Sequence, residues 1–135
     1  MELDPALHSN DVFHIKGTQD TPEVLIDPIQ GVIKLSGRSL PEDPKNFFAP
    51  VKERIELYAQ NPVSGSKVIF KFEYFNTASS KIIMEIIDLV KEISEKDDKV
   101  VYEWHYLEDD DDMLEAGEDY EEIAEIKFEY YTYEG

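Results

Sequence analysis

Three small hydroxyl side chains stand close together in the segment FNTASSK, which spans residues 75–81. Thr77, Ser79 and Ser80 lie between a run that alternates like a strand and a run that is spaced like a helix. One hydroxyl or amide is enough to cap a helix, because a cap only has to accept a hydrogen bond from a free N–H of the first turn. Three hydroxyls invite a second interpretation. A helix N-terminus attracts anions, so the segment is also suited to carry a phosphate group.

The residues alone leave both interpretations open. In the first, Asn76 or Thr77 caps a helix that begins near Ser79, and the segment has a structural role only. In the second, Thr77 accepts a phosphate, which would bring a charge of about −1.5 to −2 to the helix start. Lys81, one turn into the helix, is placed to pair with that charge.

Hydrophobic periodicity predicts the elements that hold this segment. Alternating apolar residues predict strands at 12–16, 24–26, 32–35, 67–75 and 100–107, and a final strand at 123–133. Apolar spacings of three and four predict two main helices, one over about 44–60 and one from near Ser79 to about 95. The pair Ser39 and Glu42 has the spacing of a capping box. We expect an α+β (mixed α/β) fold: a single domain over 1–135 with one five- to six-stranded sheet and two main helices packed on it.

Charge is distributed unevenly along the chain. The sequence has 31 acidic and 13 basic residues, a net charge of −18, and the part from Glu92 onward has 18 acidic and 3 basic residues. A field of this sign repels nucleic acid and anionic lipid, so we expect protein partners, above all with a basic surface, and no nucleic-acid or membrane binding. The sequence has no cysteine, no secretion signal in its start MELDPALHSND and no membrane-length apolar run, which indicates a cytoplasmic protein.

No residue pattern indicates a cofactor, a metal site or a catalytic centre. The acidic stretch at about 108–122, EDDDDMLEAGEDYEE, is predicted to be a loop, and none of its registers matches an EF-hand, which needs alternate carboxylates, Gly at the sixth position and Glu at the twelfth. His8, His14 and His105 form no i, i+4 pair, which argues against zinc. These observations favour a non-enzymatic protein that binds other proteins. A small acidic ligand- or cation-binding protein and a plain interaction scaffold are the alternatives.

Three segments together resemble the SiaC-like family of bacterial regulatory phosphoproteins. They are residues 17–50, FEYFNTASSK at 72–81 and WHYLEDDDDMLEAGEDYEE at 104–122, which cover most of the chain. The resemblance implies a partner-switching protein of a biofilm and cyclic-di-GMP pathway, similar in arrangement and fold to anti-sigma-factor antagonists. In that family a dedicated Ser/Thr kinase phosphorylates a threonine and a metal-dependent Ser/Thr phosphatase removes the phosphate. The unphosphorylated form binds and activates a diguanylate cyclase.

On this chain the resemblance assigns the phosphate acceptor to Thr77. It implies further residues that flank the phosphosite or contact a partner, namely Asn76, Ser79, Ser80 and Lys81, with Arg38 and Ser39 of the motif GRSLPED close by. Two departures from the family pattern stand out. Ala78 is found where relatives often carry serine, and the stretch NFFAPVKERIELY lacks a tryptophan often found in its helix, so the partner surface is expected to differ from that of the relatives.

Overall fold

A computed structural model describes residues 11–135. Residues 1–10, which include His8, lie outside the described residues. Strands and helices alternate over most of this range. In chain order the elements are β1 (Phe13–Ile15), β2 (Glu23–Asp27), β3 (Val32–Ser39), α1 (Pro44–Gln60), β4 (Lys67–Phe75), α2 (Thr77–Lys91), β5 (Val101–Leu107), α3 (Asp111–Ala124) and β6 (Phe128–Tyr133). A short 3₁₀ helix, Glu92–Glu95, continues α2.

The strands form one mixed sheet whose spatial order is the chain order, from β1 to β6. The first three strands are antiparallel neighbours, whereas β3, β4, β5 and β6 run parallel, with pairs such as Ile33–Val68 and Phe70–Trp104 facing one another. A helix connects each parallel pair, and such crossovers are almost always right-handed. Three crossovers in one direction place α1, α2 and α3 side by side on one face. The expected α+β architecture is confirmed.

The core lies between that face of the sheet and the helices. Side chains alternate along a strand, so every second residue points inward, as Leu35 of β3 and Phe70 of β4 do. Trp104 of β5 is fully buried among them. Helix α2 contributes the apolar stripe expected from its spacing, which consists of Ile82, Ile83, Ile86, Ile87 and Val90. This core holds the ends of β3, β4 and α2 close together.

The prediction of a loop over 108–122 is wrong, because most of that stretch forms α3. Asp110 caps the helix, and its Oδ1 accepts a hydrogen bond of 3.0 Å from the backbone N–H of Met113. Asp111 and Asp112 stabilise the first turn through the helix dipole. The buried face has helical spacing and consists of Met113, Gly117, Tyr120 and Ala124. The sequence pattern did not reveal this face, because two of its four residues are a glycine and an alanine among many carboxylates. The fold thus has three helices in the described range where two main helices were expected.

Two further boundaries differ from the prediction. The last strand begins at Phe128, because α3 occupies the residues that precede it. The prediction of a capping box formed by Ser39 and Glu42 is also wrong. Strand β3 pairs with β4 as far as Ser39, which keeps this residue in the sheet. The cap of α1 is Asp43, whose Oδ1 accepts a hydrogen bond of 3.2 Å from the backbone N–H of Asn46.

Candidate functional site: the start of helix α2

Thr77 is the first residue of α2 and is exposed to solvent. The cap is the preceding residue, Asn76, whose Oδ1 accepts a hydrogen bond of 2.9 Å from the backbone N–H of Ser79. The carbonyl of Asn76 also accepts a hydrogen bond of 2.9 Å from the N–H of Ser80. The hydroxyl of Thr77 is therefore not required to start the helix, although it lies where the helix dipole acts most strongly. A capped helix start and an available hydroxyl are present together.

Ser39 and Ser79 hold the start of α2 against the end of β3. The hydroxyl of Ser39 donates a hydrogen bond of 2.9 Å to Oγ of Ser79, and both residues are fully buried. The backbone N–H of Asn76 donates to the carbonyl of Ser39 at 3.1 Å. The two serines thus lie beside the helix start in the interior, where they position the segment and present no surface to a partner.

Ser80 and Lys81 complete the first turn. The hydroxyl of Ser80 donates a hydrogen bond of 2.7 Å to the carbonyl of Thr77, and Lys81 is exposed. From α3, the phenol of Tyr120 donates to the carbonyl of Ser80 at 2.8 Å. Burial raises the pKa of Tyr120 well above its ordinary value, so the phenol remains a protonated donor. Helix α3 therefore anchors the first turn of α2.

An aromatic cluster connects α3 to the same region. The ring centroid of Phe75, at the end of β4, lies 6.3 Å from that of Tyr120. Nε1 of Trp104 donates a hydrogen bond of 2.9 Å to the carbonyl of Met113. Gly117 allows α3 to approach the indole, because a Cβ at this position would lie 2.6 Å from Cδ1 of Trp104. The loop prediction missed this support, because the contact between Gly117 and Trp104 joins two elements that are separate in the sequence.

Arg38 lies beside Tyr74. Tyr74 precedes Thr77 by three positions in the chain. Its guanidinium carbon is 5.3 Å from the ring centroid of Tyr74, a cation–π distance, and its Nε donates a hydrogen bond of 3.2 Å to the carbonyl of Gln19. Tyr74 itself is 45% exposed. The structure thus brings Arg38 to the end of the sheet from which α2 starts.

A groove of about 370 Å³ opens between α1 and α2 next to Thr77. Its lining includes the buried side chains of Phe48 and Ile82, with Lys45, Lys52, Ala78 and Lys81 around them. Nζ of Lys52 lies 2.6 Å from Oε1 of Glu85, which also lines this lysine groove. Within residues 11–135 no carboxylate lies at ion-pair distance from Lys45 or Lys81. Of these three lysines, the sequence pattern indicated Lys81 alone.

A second groove, of about 310 Å³, has the opposite charge. It lies between the end of β4 and the start of α3, and Glu73, Asp110 and Asp112 line it together with Phe75. Phe75 therefore borders this acidic groove, whereas Ala78 borders the lysine groove. The chain passes from one to the other through Asn76 and Thr77, so a partner that contacts Thr77 meets surfaces of both signs.

The acidic stretch does not assemble a metal site. Across the described range, 11–135, no group of three or more His, Cys, Asp or Glu side chains is arranged to hold a metal ion. Each of the two described histidines contacts a single glutamate: His105 lies 2.8 Å from Glu103 and His14 lies 2.9 Å from Glu23. None of the helices in this part of the chain is both long and apolar enough to span a bilayer.

Comparison with known sequences identifies the family. The sequence model of the SiaC family, described as regulatory phosphoproteins, matches residues 15–133. The chain belongs to the SiaC family. A curated relative, an uncharacterised protein of Pseudomonas aeruginosa strain UCBPP-PA14, is 29% identical over 116 residues, which cover 86% of this chain and 92% of the relative. The resemblance inferred from the three sequence segments is confirmed.

Solved structures of the SiaC family share the fold. Apo-SiaC from Pseudomonas aeruginosa is 29% identical and superimposes with a TM-score of 0.78, covering 90% of this chain and 98% of that chain. A second structure contains the diguanylate cyclase SiaD of Pseudomonas aeruginosa in complex with its activator SiaC. The similar chain in that structure is 28% identical with a TM-score of 0.80, and the match covers 90% of this chain and 99% of that one. The likeness extends over nearly the whole of each chain.

Proposed function

We propose that this chain is a non-enzymatic regulatory protein whose Thr77 is reversibly phosphorylated, and that its unphosphorylated form binds and activates a diguanylate cyclase. The observation that carries the proposal is the exposed residue Thr77 at a helix start that other residues hold in place. The family of regulatory phosphoproteins supports a modification site. The complex of the relative SiaC with the cyclase SiaD supports the class of target.

Phosphorylation of Thr77 would act through charge and not through refolding. Asn76 already caps the helix, and the hydrogen bond between Ser39 and Ser79 is buried, so an added phosphate leaves the helix start in place. A group with a charge of about −1.5 to −2 loses favourable hydration when a partner covers it, and it repels acidic groups of that partner. Each ~1.4 kcal/mol lost from the binding free energy weakens affinity tenfold, so a penalty of a few kcal/mol is enough for a switch.

The proposal requires three protein partners. A Ser/Thr kinase adds the phosphate and a metal-dependent Ser/Thr phosphatase removes it, and both act on the surface formed by Asn76, Ser80 and Lys81, with Arg38 nearby. The third partner is the cyclase, whose product cyclic-di-GMP promotes biofilm formation. The kinase and the cyclase use nucleoside triphosphates, and this requirement supports a cytoplasmic location as part of the proposal. No cofactor or metal ion on this chain is needed.

The direct test compares Thr77→Ala and Thr77→Glu with the wild type as activators of the purified diguanylate cyclases of the host, with cyclic-di-GMP formed from GTP as the readout. We expect Thr77→Ala to activate like the wild type. Thr77→Glu should need at least about tenfold more protein, because its carboxylate imitates part of the phosphate charge. The matched control is Ser94→Glu, which adds the same charge at an exposed position beyond the other end of α2.

Two outcomes would contradict the proposal. Equal activation by the alanine and glutamate variants would eliminate the charge switch, and failure of the unmodified protein to activate any host cyclase would eliminate the target. Mass spectrometry of the protein isolated from its host provides a separate check. We expect phosphate on Thr77 and none on the buried Ser79.

A further inference from the structure

The lysine groove is a basic surface in a chain of net charge −18. Lys45 and Lys81 are exposed, and neither has a carboxylate at ion-pair distance within residues 11–135. Their charges border the apolar side chains of Phe48 and Ile82. Two lysines beside apolar groups attract a ligand that carries both negative charge and apolar surface.

We infer that the lysine groove receives an acidic segment of the activated partner, in which apolar side chains alternate with carboxylates. This inference rests on the proposed function, because the partner is the cyclase. Charge complementarity selects the occupant: Lys45 and Lys81 repel a basic segment, and the surrounding negative charge repels a nucleic acid. A groove of about 370 Å³ accommodates a few side chains of such a segment.

The position of Thr77 makes this groove sensitive to phosphorylation. Ala78, the next residue, lines the groove, and Lys81 lies four positions after Thr77, on the same side of the helix. A phosphate on Thr77 would pair with Lys81 and repel the carboxylates that approach Lys45. The phosphate therefore acts as an internal competitor for the charges that attract the partner.

The test is a charge reversal at the groove with a matched reversal elsewhere. The groove variant is Lys45→Glu with Lys81→Glu, and the control is Lys99→Glu with Lys127→Glu. Both control residues are exposed and precede β5 and β6, at the end of the parallel strands opposite to Thr77. The two variants change the net charge equally. The measurement is binding to the purified full-length cyclase that the wild type activates, with thermal unfolding of each variant as a check of folding.

We expect the groove variant to bind at least about tenfold more weakly than the wild type, and the control to bind within about twofold. Wild-type affinity should also fall between about 50 and 300 mM salt, more steeply than that of the groove variant. If the charge reversal unfolds the protein, Lys45→Gln with Lys81→Gln removes the positive charges alone and should weaken binding at least about threefold. Groove variants that bind like the wild type would overturn the inference.

The outcomes separate this inference from the proposed switch. If the groove variant binds normally while Thr77→Glu binds weakly, the groove assignment fails and the switch stands. If Thr77→Glu binds normally while the groove variant binds weakly, the switch fails and the groove assignment stands. Sedimentation of the protein alone tests the other occupant. A wild-type dimer that the groove variant dissociates would mean that a second copy occupies the groove, which would overturn the assignment to the partner.

Discussion

The buried hydroxyl pair of Ser39 and Ser79 allows a quantitative test of how the site is held. In Ser79→Ala the hydroxyl of Ser39 loses the oxygen that accepts its hydrogen bond at 2.9 Å. In Ser39→Ala the oxygen of Ser79 loses the hydroxyl that donates to it. A buried polar group without a partner costs about 1–3 kcal/mol, so we expect each variant to lower the free energy of unfolding by that amount. The double variant removes both groups, and we expect it to lose at least ~1 kcal/mol less than the sum of the single losses.

Urea unfolding followed by the fluorescence of the buried Trp104 measures these free energies. The control is Ser80→Ala, whose hydroxyl bonds the carbonyl of Thr77 within the same turn and is only half-buried. Its free energy of unfolding should change by less than about 0.5 kcal/mol. Losses that add without coupling in the double variant would refute the conclusion that this hydrogen bond joins β3 to the helix start.

Three other substitutions test the supports of the site and of the fold. Gly117→Ala places a Cβ 2.6 Å from Cδ1 of Trp104. Overpacking of this kind should lower the free energy of unfolding, measured with urea, by about 1–3 kcal/mol. Unchanged stability would contradict the close approach of α3 to the indole. Asn76→Ala removes the cap of α2 and should cost ~1 kcal/mol in the same assay, whereas loss of the cap without any destabilisation would contradict its role. Burial acts to raise the pKa of Asp97, but backbone N–H donors from Gly65, Ser66 and Lys99 outweigh it and hold the pKa below the ordinary value. The stabilisation of the wild type over Asp97→Asn should therefore be present above about pH 4 and decline as the pH falls towards the lowered pKa of the folded state. Thermal unfolding from about pH 7 down to about pH 2 follows this decline, and a difference independent of pH would rule out the charge of Asp97 as its source.

Elements whose own apolar residues show their periodicity could be predicted from the sequence. Helix α1 and strand β4 have the expected bounds, 44–60 and 67–75. Helix α3 could not be predicted in the same way, because its buried face includes Gly117 and Ala124 among many carboxylates. The glycine contributes to packing only through its contact with Trp104 of another element. A spacing rule based on large apolar side chains does not detect such a face.

The candidate site could be predicted as far as its chemistry is local. Cap residues and hydroxyls beside a predicted helix mark a helix start, and this signal led to Asn76 and Thr77. The supports of the site come from distant parts of the chain: Ser39 bonds Ser79 across 40 residues, and Tyr120 bonds Ser80 across 40 residues. Packing of β3, α1 and α3 around α2 creates these contacts and the lysine groove. No local spacing encodes them.

The identity of spatial order and chain order in the sheet has a consequence for biosynthesis. Each strand pairs with the strand that precedes it, so a nascent chain can extend the sheet at one growing edge without leaving an interior gap for a later segment. Tyr120 belongs to α3, and its hydrogen bond to Ser80 forms only after α3 has been synthesised and has left the ribosome. An unfinished chain would display Thr77 on a loosely held helix. Once α3 has packed, the same threonine stands on a first turn that Tyr120 holds in place.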